Sequence, residues 1–246
     1  MRILALDSSG LVASVALVLE NEKGSVTVAE YSVNYKKTHS QTLLPMLDEI
    51  VKMCEIDLNE IDAIAVAAGP GSFTGLRIGS ATAKGLGLAL KKPLVSVPTL
   101  EGLAYNLCGY KGLICPIMDA RRGQVYTGIY RFENDRLVTV EGQMAIAITE
   151  LTEKLKKYDE HITFLGDGVP VFREQIEKEL LSGEDISFAP AHMNRQRGAS
   201  VAALGLQYYK EDRVETAAQH KPEYLRVSQA ERERAKREKE NREDNI

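Results

Sequence analysis

The stretch IDAIAVAAGPGSFTGLRIGSATAKGLGLAL, residues 61–90, decides the fold. Ile61 to Ala68 is an unbroken apolar run, the pattern of a strand covered on both faces. Gly69-Pro70-Gly71-Ser72 breaks it. Ser72 suits a helix N-cap, and Phe73 to Leu90 reads as a long helix stopped by Lys91-Lys92-Pro93. Gly75, Gly79, Ala83 and Gly87 recur every four residues along it, and Ala81, Gly85 and Ala89 form a second stripe of small residues. Glycine inside a helix costs about 1 kcal/mol relative to alanine, so close packing must offset several of them. Two small stripes suit either tight packing on the protein's own sheet or a close helix contact with another subunit.

Working outward, Ile3-Leu4-Ala5-Leu6 and Ala13 to Leu19 read as strands around the turn Asp7-Ser8-Ser9-Gly10, and Val26 to Val33 as a third. His39 to Cys54 has Leu43, Leu47, Ile50, Val51 and Cys54 at helical spacing. Leu94 to Val97 reads as a strand and Thr99 to Cys108 as a helix. Three strands followed by strand–helix alternation give a mixed sheet flanked by helices, the order of a ribonuclease-H-like α/β layout. A second block holds strands at Leu113–Met118, Val125–Phe132, Leu137–Val140 and Ile162–Leu165. Its helices fall near Thr149–Tyr158, Val171–Leu181 and Ala199–Tyr209. No internal repeat of fixed period is visible. The expected division is an N-terminal lobe 1–105, a C-terminal lobe 106–228 and a charged tail 229–246.

At 246 residues the chain holds about 1.6 domains of typical size. Its 44% hydrophobic and 27% charged residues are ordinary for a globular protein and exclude collagen-like or wholly disordered chains. The net charge of −4 argues against a surface that grips nucleic acid as a whole. No apolar run reaches the length of a transmembrane helix, and the N-terminus lacks the pattern of a signal peptide. Three cysteines, Cys54, Cys108 and Cys115, match no zinc spacing, so a reduced cytoplasmic protein is expected.

Chemistry is sparse. Asp7-Ser8-Ser9 can close a hairpin or hold a hydrated magnesium ion and phosphate. The 69–75 loop precedes a helix N-terminus, which favours anions, but matches neither the G-x-x-x-x-G-K-[ST] nor the G-x-G-x-x-G fingerprint. Asp119-Ala120-Arg121-Arg122-Gly123-Gln124 can bind an anion or form a self-satisfied turn. Gly166-Asp167-Gly168 follows a strand, as a second phosphate loop would. His39, His161, His192 and His220 contain no metal-binding pair. There is no nucleophile elbow, and no cysteine has an activating context, so nothing supports a protease.

Together the blocks GPGSFTGLRIG (69–79), DSS (7–9), DARRGQVY (119–126), and PEYLR (222–226) with Ala230-Glu231 resemble the TsaB family, formerly YeaZ, over nearly the whole chain. The resemblance implies the actin-like ATPase (ASKHA) fold in two related lobes. It implies a non-catalytic partner of TsaD in bacterial tRNA threonylcarbamoyladenosine synthesis. TsaD would carry the metal and the active site, TsaE would join as an ATPase, and tRNA would be met through the complex. TsaB proteins also self-associate, so a homodimer is implied as well. Carried over by position, the partner interface is Leu43, Leu47, Gly75, Leu76, Arg77, Ile78, Gly79, Thr82, Ala83 and Leu86, with Arg77 as a polar contact. Asp7, Ser8 and Ser9 would be a remnant of the nucleotide loop. ATP or ADP would sit, if anywhere, at the junction with TsaD. The tail after Glu231 has no expected counterpart in the family core. The alternative is a small-molecule kinase or ATPase of the same superfold, using Asp7 and the Gly166–Gly168 loop.

Overall fold

The computed structural model describes residues 1–35 and 38–226, so the charged tail and Ala230-Glu231 lie outside the described residues. The chain runs through β1 (Arg2–Asp7), β2 (Ala13–Asn21), β3 (Gly24–Val33), α1 (His39–Met53), β4 (Ala63–Gly69), α2 (Phe73–Leu90), β5 (Leu94–Pro98) and α3 (Thr99–Ala104). It continues with β6 (Leu113–Asp119), β7 (Gln124–Glu133), β8 (Arg136–Ala147), α4 (Ile148–Leu155), β9 (Ile162–Leu165), α5 (Val169–Gln175), β10 (Ile186–Phe188) and α6 (Gly198–Lys210).

Two five-stranded mixed sheets result, ordered β3-β2-β1-β4-β5 and β8-β7-β6-β9-β10. In each, a three-stranded antiparallel meander leads into two parallel strands. The second sheet therefore repeats the topology of the first, a duplication that no sequence repeat betrays. This is the two-lobed, actin-like ASKHA architecture.

Both faces of each sheet are covered, which explains the unbroken apolar strands. Leu4, Leu6, Val15, Ile64 and Val66 pack under Leu43, Leu47 and Ala83 of α1 and α2. On the opposite face Ile3, Ala5, Ala65 and Val97 meet Val201, Ala202 and Leu204 of α6. Helix α3 joins Leu100 and Leu103 to Ile114, Tyr130 and Leu165 of the second sheet. That sheet's far face packs on Leu151 and Leu155 of α4 and Phe172 of α5. The layers read α1α2, sheet, α3α6, sheet, α4α5.

Several expectations need correction. Helix α6, placed in the 106–228 unit by its position in the chain, packs instead on the first sheet. The Thr99–Cys108 helix is α-helical only to Ala104 and continues as a 3-10 turn, Tyr105–Leu107. Strand β8 runs far beyond Leu137–Val140, because an edge strand carries half-exposed polar residues such as Glu141 and Gln143 that hide its period. Strand β10 has three residues and escapes pattern recognition for that reason.

Candidate functional site

Helix α2 begins as expected: Ser72 Oγ accepts the Gly75 N–H at 3.2 Å, an N-cap bond. Its first small stripe faces inward onto the β1–β2 turn. A Cβ on Gly75 would overlap the Ser8 carbonyl oxygen, and one on Gly79 would overlap Ser8 Oγ. The glycines thus let the helix backbone approach the turn, and the Ser8 hydroxyl donates to Gly75 O at 2.8 Å.

This placement puts most of the residues expected at a partner interface against the chain's own core. Leu43, Leu76 and Ala83 are 1%, 1% and 0% exposed, and Leu47, Gly75 and Gly79 are buried as well. They pack within the chain's own core. Ile78 and Leu86 are partly buried against the same core, and the Thr82 hydroxyl donates to Ile78 O. Of the ten, Arg77 alone is exposed, and its guanidinium lies 4.2 Å from the Phe73 ring centroid. The outward face of α2 is the second stripe, Ala81, Gly85 and Ala89, together with Leu88. A Cβ on Gly85 would meet nothing within 4 Å. Leu88 is 67% exposed, and Leu44 on the neighbouring α1 is 54% exposed.

The Asp7-Ser8-Ser9 turn is closed on itself. Asp7 Oδ1 accepts both the Ser9 N–H at 2.8 Å and the Ser9 hydroxyl at 2.7 Å. All three residues are buried. Burial pushes the Asp7 carboxyl up to about 6, against the opposing pull of the Ser9 bonds. The Ser8 and Ser9 hydroxyl protons are thus both engaged within the chain. His39 clamps the turn from α1: its Nε2–H donates to Gly10 O at 2.8 Å, and its buried Nδ1 has no partner among the described residues.

The second loop is likewise occupied. Gly166 N–H donates to Asn194 Oδ1 at 2.7 Å, and Gly168 N–H to Ile117 O at 3.0 Å. Asp167 accepts the Asp119 N–H, and burial pushes its carboxyl above the ordinary range. Asp119 Oδ1 accepts the Arg121 N–H at 2.8 Å, and the Ala120 and Gln124 N–H groups are also paired within the 119–124 turn. Arg121, Arg122 and Gly123 all take left-handed φ values there. Among the described residues neither arginine is in an ion pair, and both side chains are exposed.

Between the two sheets lies a cleft of about 860 Å³. Ser9, Gly10 and Leu11 line it from the β1–β2 turn, with His39, the first turn of α2, Asp119, Arg121, Asp167 and the segment Tyr224–Arg226. Pattern reading missed the residues that pin α6 to the first sheet. Arg197 forms a bidentate pair with Glu30, 167 positions away, and Ala199 N–H donates to the same carboxylate at 3.1 Å. A pair so distant leaves no local periodicity. Among the described residues no group of three His, Cys, Asp or Glu is placed to hold a metal ion, and no helix is long and apolar enough to cross a membrane.

Residues 27–234 match the family model described as TsaD, tRNA N6-adenosine threonylcarbamoyltransferase. A Bacillus subtilis protein, tRNA threonylcarbamoyladenosine biosynthesis protein TsaB, is 37% identical over 94% of this chain and 96% of its own. The Escherichia coli protein of the same name is 32% identical over 68% of this chain and 72% of its own. The solved structure of YeaZ from Pseudomonas aeruginosa superposes with a TM-score of 0.74 at 24% identity, over 91% of this chain and 99% of that one, which confirms the fold. The chain belongs to the TsaB (YeaZ) family, within the wider TsaD-related group, and its role lies in tRNA threonylcarbamoyladenosine biosynthesis.

Proposed function

We propose that this chain is an accessory subunit that binds TsaD and activates it, and that it performs no catalysis itself. The carrying observation is the outward face of α2, where Ala81, Gly85 and Ala89 leave the backbone bare beside the exposed Leu88. Small residues on an exposed helix face admit another helix at close range. Such a face also suits self-association, so a homodimer would give way to the heterodimer when TsaD is present. TsaE and tRNA would then meet the assembly rather than this chain alone. The internally satisfied Asp7-Ser8-Ser9 and Gly166–Gly168 loops support the non-catalytic reading.

Size-exclusion chromatography with light scattering, on the chain mixed with its cognate TsaD, tests this. The native pair should run as a complex, and Gly85→Arg should abolish it while the variant alone stays folded. A complex that survives Gly85→Arg, or none with the native chain, would overturn the interface. Threonylcarbamoyl transfer or steady ATP turnover by the purified chain alone would overturn the accessory role.

A further inference from the structure

The two lobes share the α3α6 layer, and segment 194–198 stitches them near the β1–β2 turn through Asn194–Gly166 and Arg197–Glu30. Lobes attached along one shared layer retain a rotation about it, and that rotation opens or narrows the cleft. A tie across the cleft removes it.

Such a tie is present. The segment Pro222–Arg226 crosses from the first sheet to the second. Glu223 N–H donates to Ala68 O at 2.7 Å, near the carboxyl end of β4. Gly69 has φ +126°, and a Cβ there would overlap Glu223 O, so the segment lies against bare backbone. The Tyr224 ring sits 4.9 Å from the Phe73 ring centroid at the start of α2. Arg226 Nη1–H then donates to Ala120 O at 2.7 Å, in the β6–β7 turn of the second sheet. Tyr224 and Arg226 both line the cleft.

We propose that Pro222–Arg226 is an interlobe strap that fixes the angle between the two sheets and thereby sets the width of the cleft. Its attachments act in series. Main-chain pairing holds it to the first sheet and the aromatic pair sets its direction, while the Arg226 guanidinium and, at a long 3.5 Å, Glu223 Oε2 accepting from Gln143 Nε2–H reach the second sheet. Loss of the aromatic pair and the guanidinium leaves the strap only the long Gln143 bond to the second lobe.

The test measures the distance between lobes in the full chain. Spin labels go on Glu49→Cys of α1 and Glu150→Cys of α4, both exposed, in a Cys54→Ser, Cys108→Ser background. The parent should give one narrow distance distribution by pulsed electron–electron resonance. Tyr224→Ala with Arg226→Ala should broaden and shift it. Amide exchange at 119–126 should rise about ten- to a hundredfold on losing one hydrogen bond and one aromatic pair. Amides of β1 and β9 should keep their protection, which separates lobe release from unfolding. Arg226→Lys, which keeps a donor, should stay close to the parent. An unchanged distance distribution in the double variant would overturn the strap. So would exchange that rises equally in β1 and β9.

Discussion

Gly79 and Gly85, six positions apart on α2, should respond oppositely to the same added methyl group. At Gly85 a Cβ meets nothing within 4 Å, so alanine brings only its better helix propensity, about 1 kcal/mol. At Gly79 the Cβ overlaps Ser8 Oγ, which is buried and donates to Gly75 O. Either Ser8 rotates, stranding a buried hydroxyl at a cost of about 1–3 kcal/mol, or α2 lifts off the turn at a similar overpacking cost. Setting the gain in propensity against either cost leaves Gly79→Ala destabilised by about 1 kcal/mol. In a chain of this size 1 kcal/mol moves Tm by about 2–4 °C. Thermal melts should therefore show Gly85→Ala about 3 °C above the parent and Gly79→Ala about 3 °C below it. The clash resides in one atom, because Ser8 Cβ would stand 3.7 Å from the new Cβ, an ordinary contact. Ser8→Ala should thus restore much of the stability of Gly79→Ala, a coupling that a double-mutant cycle reads directly. Equal shifts in the two single variants, or no rescue by Ser8→Ala, would refute the assignment of the inner and outer stripes.

Asp7 gives a pH signature. Its folded carboxyl at about 6 lies above the ordinary 3.8, so the folded state binds the proton more tightly and stability falls as pH rises from about 4 to 6. Asp7→Asn removes that cost and should add about 3 kcal/mol at pH 7 and nothing below pH 4, as read from urea unfolding across that range; an unchanged slope would contradict it. Leu76→Ala, at a fully buried site, should cost about 2–5 kcal/mol, whereas Leu44→Ala should leave the melting temperature within about a degree and weaken only complex formation. Thiol titration of the folded chain should label exposed Cys108 readily and spare buried Cys115, whose thiol burial pushes up to about 12; early labelling of Cys115 would show that the second sheet opens.

Local chemistry sufficed for much of this protein. The apolar run 63–69, the Ser72 cap and the Lys91-Lys92-Pro93 stop mark β4 and α2 because each signal acts within a few residues. The motif blocks were enough to point to the family. Four-residue periodicity likewise exposed two small stripes on α2. It was silent on which stripe turns inward, since that depends on what lies beneath the helix. The Ser8 turn, nearly seventy residues away, decides it. The interface expected from position therefore fell largely on the core. The same limit hid the strap, the Arg197–Glu30 clamp and the place of α6. Each is a meeting of segments far apart in the chain, joined by single hydrogen bonds or by one buried face, and such meetings leave no period to read. Sequence determines the elements and their order; which faces are left for partners is settled only when the sheets, helices and turns compete for the same surfaces.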